Sequence, residues 1–465
     1  MATAQRAAPA APPAAAVPAD LVIVPSQGDA RAPRPPMGAR FWRLWWATAL
    51  SSSGDGLVAV ALPLLAFTVT RNPVAIAGVL VVQRAAGALV ALPAGVLIDR
   101  LPRRSVMIAA NLVSGLLMAA VVGAMTLGLD DLPMIYAVAA GLIVCDVVYT
   151  LALQASFRDV VPSPGLLSTA NARLMGIDQT GEQFAGPAVA GIMFSWVRRL
   201  PFLADAASFF VSALLVAGSV PRPASRWRHA VGAASGHDGS SAEPEMRSAN
   251  GEPRHARGFT ADFRTGLRVF LQERPLKLLG ASMAALSLNN GMVFALLVLY
   301  GRVDLHLSAT GYGVFIAVGS VLGIVGSFAG GRLERRFGPA GVIVLGSLFV
   351  IASDLSMAVA TVALVALAVF AFQDFGVCIA NVGSVTSRQR LIPRQLFGRV
   401  GSVHRTLVIS ALPIGALLAG FIASAFSVRV ALAVAGVIQA VLWIYLAPAL
   451  LRALRPAKES VQLVD

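Results

Sequence analysis

Between residues 42 and 451, apolar runs of 18 or more residues follow one another with only short polar breaks. A helix rises 1.5 Å per residue, so each run is long enough to cross the roughly 30 Å hydrocarbon layer of a bilayer. In that medium backbone N–H and C=O groups find no water, and a segment must satisfy them internally as a helix. Composition agrees: 57% of the chain is hydrophobic and 13% charged, where a soluble domain carries about a quarter charged residues. The pattern predicts about twelve spans, at 42–68, 74–98, 105–128, 133–157, 169–197 and 202–220, then 276–300, 311–332, 340–360, 362–387, 398–425 and 429–451.

The spans fall into two groups of six. Residues 41–220 form an N-terminal bundle, and 259–452 an amphipathic segment followed by a C-terminal bundle. Residues 221–258 between them are polar and rich in Gly, Ser and Pro, the composition of a disordered linker. Residues 1–40 are rich in Ala and Pro, and their one apolar run, "LVIV", is too short for the core of a signal peptide; a disordered arm is expected. Residues 453–465 read as a tail. In "FTADFRTGLRVFLQERP", Phe259, Phe263, Leu267 and Phe270 recur at helical spacing, predicting a helix on the membrane surface.

The net charge of +14 suggests nucleic acid until the arginines are located. They sit in short clusters between apolar runs and not on one face of a domain, so no nucleic-acid partner is expected. Arg100, Arg103, Arg104, Arg332, Arg335, Arg336, Arg388, Arg390, Arg394 and Arg399 share one side with the linker and tail. The other side holds Arg71, Arg198, Arg199, Arg302, Arg429 and the acidic pair Asp130-Asp131. The positive-inside rule then places both termini in the cytoplasm of a cell bounded by this inner, or plasma, membrane, with Arg198-Arg199 as an exception. Cys145 and Cys378 lie inside predicted spans, which argues against a disulfide framework or a cysteine metal site.

"GVLIDRLPRRSV" interrupts the apolar pattern at the end of the second span and predicts a tight cytoplasmic hairpin. Its spacing recurs: Gly95, Asp99 and Arg100 correspond to Gly330, Glu334 and Arg335 at the end of the eighth span. Pro187 and Pro413 also sit at equivalent depth in the fifth span of each half, Asp55 matches Asn290, and Asp146 matches Asp374. Such a parallel repeat of six helices is one plan for a transporter. The hairpin resembles the signature G-x-x-x-D-[RK]-x-G-[RK]-[RK] of the major facilitator superfamily, through Gly95, Asp99, Arg100, Arg103 and Arg104, with Pro102 in place of glycine. "SSSGDGLVAVALP", "ANARLMGIDQTGEQFAGPAVAG", "FLADAASFFVSALL" and "RQRLIPRQLFGRVGSV" resemble the macrolide-efflux and enterobactin-export branch.

That resemblance implies an all-α membrane protein of twelve transmembrane helices in two pseudo-symmetric six-helix bundles. It also implies a cavity lined by the first, fourth, seventh and tenth spans. It assigns the hairpin to a cytoplasmic gate, with Asp99 facing the start of the eleventh span near Gly398 and Arg103 or Arg104 meeting Asp159. Gly186, Pro187 and Gly191 resemble the helix-bending motif G-P-x-x-G-G of exporters, in which Glu182 stands where glycine is usual. A simpler reading leaves the hairpin arginines as topology anchors and the small residues as ordinary packing.

Ionisable groups at mid-membrane cost at least about 2.5 kcal/mol each on insertion scales, so each needs a reason. Asp55, Arg84, Asp146, Asp178 and Glu182 reach that depth in the first half, and Asn289, Asn290, Asp374, His404 and Arg405 in the second. Asp55, Asp178 and Glu182 are candidate proton carriers with Arg84 as their partner; Asp146, Asn289, Asn290, Asp374 and Arg405 are candidate cavity residues. A static ion pair between helices is the competing account of the same acids. Asp205 and Asp354 read as structural, and Gly54-Asp55-Gly56 as a stretch that could unwind the first span. The two lysines, Lys277 and Lys458, lie outside any P-loop, and no nucleophile elbow, triad or metal-ligand spacing occurs. Enzymatic activity, a cofactor and a metal are therefore not expected. The sequence predicts a monomeric transporter driven by a proton gradient, exporting a small organic compound such as a drug, antibiotic or siderophore. A lipid or lysophospholipid flippase of the same fold and a non-transporting sensor or scaffold are the alternatives.

Overall fold

The computed structural model describes residues 37–161, 163, 166–219, 259–393 and 396–454, with the side chains of 92, 95–97, 99, 100, 158, 159, 168 and 259–263 outside the description. The expected arm lies almost wholly, and the linker wholly, outside the described residues, as does the tail beyond residue 454. Among the described residues, ten helices are long and apolar enough to cross a membrane. The longest, Ala309–Val359, contains two spans, the eighth and ninth, which meet at Gly338 with φ 73° before Pro339. The fifth span is assembled from Leu167–Thr180, a wider π turn at Gly181–Ala185, and Gly186–Trp196. Twelve spans result.

The first half contains Ala39–Val69, Pro73–Arg100, Arg103–Leu127, Leu132–Val160, the fifth span and Leu200–Ser219. The second contains Arg274–Leu299 with a π turn at Tyr300–Asp304, the joined eighth and ninth spans, Ala363–Leu391, Phe397–Ala425 and Val428–Ala453. The loops on the side away from the termini are short, and polar side chains cap four of the helices that start there. Asn72 accepts from the amides of Val74 and Ala75, Asp131 from Met134, Ser308 from Gly311 and Ser427 from Val430. Each cap satisfies an amide that the helix leaves open, worth about 1 kcal/mol. Asp131, legible in the sequence only as an acid on the less basic side, is one of these caps.

Apolar side chains gain little from leaving lipid, so close backbone approach at small residues holds the spans together. A Cβ on Gly56 would fall 2.6 Å from the Gly181 carbonyl oxygen, and one on Gly186 would fall 2.5 Å from the Gly56 Cα. First and fifth spans cross there. The second half repeats the device between its first and fifth spans: Gly291 abuts the Leu412 carbonyl and Gly415 that of Leu288. Third and sixth spans pack behind the first and fourth, and the first, second and fifth spans contact the other half.

The halves meet on the side away from the termini. One large core cluster there draws on both, including Leu65, Phe67, Ile76, Phe194, Met292, Leu296, Tyr300, Tyr312 and Ala423. Ala77, Ala295 and Ala416 extend the seam between the second, seventh and eleventh spans. Toward the termini each buried cluster belongs to one half: Phe41, Met107 and Leu174 in the first, Leu279, Ile343 and Trp443 or Phe270, Ile392 and Val400 in the second. The helix Phe259–Gln272 packs on the eleventh span, with Gly266 against the Arg399 backbone and Phe270 buried against Gly280. Arg264 and Arg268 face outward, as the stripe predicts.

Candidate transport site

The first span stays helical through Gly54-Asp55-Gly56, which corrects the expectation of local unwinding. Its two glycines serve close approach: Gly54 admits the Asp205 carboxyl and Ser208 hydroxyl of the sixth span, and Gly56 admits the fifth span. Between them Asp55 points toward the fourth span. A small cavity of about 10 Å³, room for about one water, is lined by Ser51, Asp55, Asn111, Ser114, Leu142, Cys145, Asp146, Tyr149 and Phe209. Asp55 lies within electrostatic range of Asp205, Asp146, Glu182 and Asp178.

On the fifth span Asp178 accepts a hydrogen bond from the Ser52 hydroxyl of the first. Glu182 stands one turn further on, inside the π turn, a widening that often accompanies functional sites and here precedes Pro187. Asp146 accepts a 3.4 Å contact from Thr150. Asp146, Glu182 and Arg84 of the second span are exposed. Arg84 is close enough to Asp146 and Glu182 to act on both electrostatically. The structure therefore brings together Asp55, Asp146, Asp178, Glu182 and Arg84. Asp205, set aside in the sequence as peripheral, is fully buried directly behind Asp55, and its Oδ2 has no hydrogen-bond partner.

Four carboxyls gather here with a fifth behind them, and Arg84 acts on two of them, Asp146 and Glu182. Were all of them ionised, they would carry an excess of negative charge that protons, water or a cationic group must offset. Among the described residues, no group of three or more His, Cys, Asp or Glu side chains could hold a metal ion.

The second half does not mirror this chemistry. Asn289, expected to line the cavity, is instead 1% exposed and turned away from it, donating to Asp354 Oδ2 at 2.6 Å and to the Ala435 carbonyl at 3.4 Å. The cause is helical phase: the neighbouring Asn290 takes the half-exposed position. Asp374 is half-buried beside Gly323 of the eighth span, and Arg405 is exposed. His404 next to it is buried, its Nε2 without a partner.

At the termini side, Leu101 and Pro102 alone separate the second and third spans, a hairpin as tight as its sequence predicts. Arg103 donates to the Ala155 carbonyl of the fourth span at 2.9 Å, and Arg104 to the Ala217 carbonyl of the sixth at 2.5 Å. Both bonds tie the hairpin to its own half. The side chains of Gly95, Asp99, Arg100 and Asp159 lie outside the described residues. In the corresponding hairpin, Glu334 accepts from Thr386 at 2.9 Å and Arg390 at 3.0 Å of the tenth span, while Arg335 is exposed. In the fifth span Gly186 meets Gly56, whereas Pro187 and Gly191 meet Gly313 and Ala309 of the eighth. The motif Gly186-Pro187-x-x-x-Gly191 thus joins the first half to the second.

The sequence model of the Major Facilitator Superfamily matches residues 44–410. No curated protein matches the sequence. Among solved structures, a bacterial homologue of the human lysosomal transporter Spinster, inward-facing and unoccupied, superposes with TM-score 0.68 at 14% identity over 91% of this chain and 99% of that one. The nucleoside transporter NupG gives 0.65 at 10% identity, over 90% and 100%. A bacterial homologue of the iron transporter ferroportin, inward-facing, gives 0.62 at 19% identity, over 88% and 98%. Identities this low establish the fold and leave the cargo open. With twelve spans in two halves and a family match over most of its length, the chain belongs to the major facilitator superfamily of membrane transporters.

Proposed function

We propose that the protein is a proton-coupled exporter of a small organic compound, a drug, antibiotic or siderophore, working by alternating access in the inner membrane as a monomer with cytoplasmic termini. The observation that supports this reading is the convergence of Asp55, Asp146, Asp178 and Glu182, with Arg84 beside Asp146 and Glu182. Protons arriving from outside would neutralise part of this excess, and release of the protons inside would restore it for the next cargo molecule. The negative excess favours cargo bearing positive charge over an anionic siderophore. The Gly95–Arg104 hairpin would act as the cytoplasmic gate.

The test uses proteoliposomes with a pH-sensitive dye and a panel of macrolides, tetracyclines and siderophores. Asp178→Asn with Glu182→Gln should abolish substrate-dependent proton movement while surface expression persists. Full proton movement in that variant would remove the coupling role. One observation favours a second reading, a lipid flippase. The fifth span contacts the eighth through Gly186–Trp196 and the π turn, leaving Leu167–Thr180 apart as one edge of a side opening. Movement of labelled lipid between leaflets, without any panel compound, would select that reading.

A further inference from the structure

The first and fifth spans have a second shared surface, turned away from the acids. Trp42, Trp45, Arg173, Gly176, Ile177 and Thr180 line a groove of about 430 Å³. Arg173 and Glu182 are nine residues apart, about two and a half helical turns, and so sit on opposite sides of the fifth span. Glu182 lies on the side of Arg84 and the other acids, so Arg173 lies on the side turned away from them, exposed at the protein surface. The Trp45 indole N–H donates to the Arg173 carbonyl at 3.3 Å, and the guanidinium stands 5.5 Å from the centre of the Trp42 ring. Trp42, Trp45 and Trp46 form an edge-to-face series, with Trp46 56% exposed.

Depth along the helices fixes what such a groove meets. The tryptophans occupy the first two turns of the first span and Arg173 the second turn of the fifth, both at the membrane face that carries the termini. Tryptophan concentrates at that level because its ring is apolar and its N–H polar. Among the described residues no carboxylate pairs with Arg173, whose charge is held against the ring and left open on its outer side. Arg40, exposed two residues before Trp42, adds a second positive charge at this end.

We propose that this groove binds the phosphate headgroup of an anionic phospholipid from the adjoining leaflet, Arg173 holding the phosphate and Trp42 and Trp45 flanking the glycerol and upper acyl chains. Charge complementarity selects the occupant: a basic, aromatic groove at headgroup depth meets anionic lipid in preference to zwitterionic lipid. The bound headgroup would bridge the two helices that carry Ser52, Asp55, Asp178 and Glu182 on their other side, setting their spacing from behind.

The test is lipid retention by the full-length protein in micelles, read by native mass spectrometry, with phosphatidylglycerol against phosphatidylcholine of identical chains. The parent should retain the anionic lipid preferentially. Arg173→Gln should weaken that retention about fivefold, the effect of one arginine near an anionic surface, and Arg198→Gln, at the opposite end of the span, should not. Equal retention of the two lipids by the parent, or equal loss in both variants, would overturn the proposal. A second measurement needs no variant: brominated phosphatidylglycerol should quench the parent's tryptophan fluorescence more than brominated phosphatidylcholine, and equal quenching would overturn it too.

Discussion

Replacing Gly186 by alanine tests whether the first and fifth spans are packed backbone against backbone. The added Cβ would lie 2.5 Å from the Gly56 Cα, 2.6 Å from its carbonyl carbon and 2.6 Å from the Ser53 carbonyl oxygen. All three are main-chain atoms, so no rotamer change can make room. Ordinary van der Waals contact begins at 3.4 Å, so the helices must separate locally by about 1 Å. Overpacking of this kind costs about 1–3 kcal/mol, partly offset by the 0.5–1 kcal/mol that alanine gains over glycine inside a helix. A net loss of roughly 1–2 kcal/mol follows, visible as a melting temperature lower by a few degrees in micelles. The same separation strains the Ser52–Asp178 hydrogen bond two turns away, so transport should fall with stability. Gly331→Ala is the control, because a Cβ there has nothing within 4 Å; it should melt at or above the parent temperature. If Gly186→Ala behaves like Gly331→Ala, the two helices do not touch as described. Gly56→Ala combined with Gly186→Ala should destabilise by less than the two added together, since one separation accommodates both methyl groups.

Asn289→Ala should leave the Asp354 carboxyl buried without its amide donor and cost about 1–3 kcal/mol in thermal melting, with transport per folded molecule unchanged. Phe67 is 4% exposed in the seam, with Arg71 3.9 Å and Arg302 5.6 Å from its ring centre. Phe67→Ala should destabilise by about 3–5 kcal/mol and raise thiol labelling in an Ala423→Cys background, because the seam loosens; unchanged labelling would show that the ring is not what closes it. Glu334→Gln should cost less than about 1 kcal/mol, because Arg390 in that pair is 64% exposed and well solvated.

The spans, their number and their division into halves were readable because hydrocarbon leaves a chain so few options: length and apolarity are enough. The acids of the first half were readable for the same reason, since a carboxyl at mid-depth is conspicuous. Orientation about each helix axis was harder. Asn289 and Asn290 differ by one position, about 100° of rotation, and two adjacent asparagines look alike until the ninth span shows Asp354 waiting for one of them. What the sequence hides about Asp205 is its neighbour: Gly54, lacking a side chain, lets it come close to Asp55. The glycines at 54 and 56 suggested a flexible helix and turned out to be contact surfaces, because the partner backbone is distant in sequence. Asn111, Ser114 and Tyr149 of the third and fourth spans carry no signal of their own in the sequence; only their neighbours reveal that they enclose a cavity.

The fifth span is gripped at one end and free of the opposite half at the other. Between Gly186 and Gly191 it is clasped by the first span on one side and the eighth on the other. From there to Leu167 about 20 residues, roughly 30 Å of helix, have neighbours mainly in their own half. That geometry is a lever with its fulcrum near the outer seam: a tilt of about 10° at the glycines sweeps the far tip through roughly 5 Å. Arg173 rides near that tip and Glu182 close to the fulcrum, so the Arg173 groove would travel several times farther than the acids in any rocking of the helix.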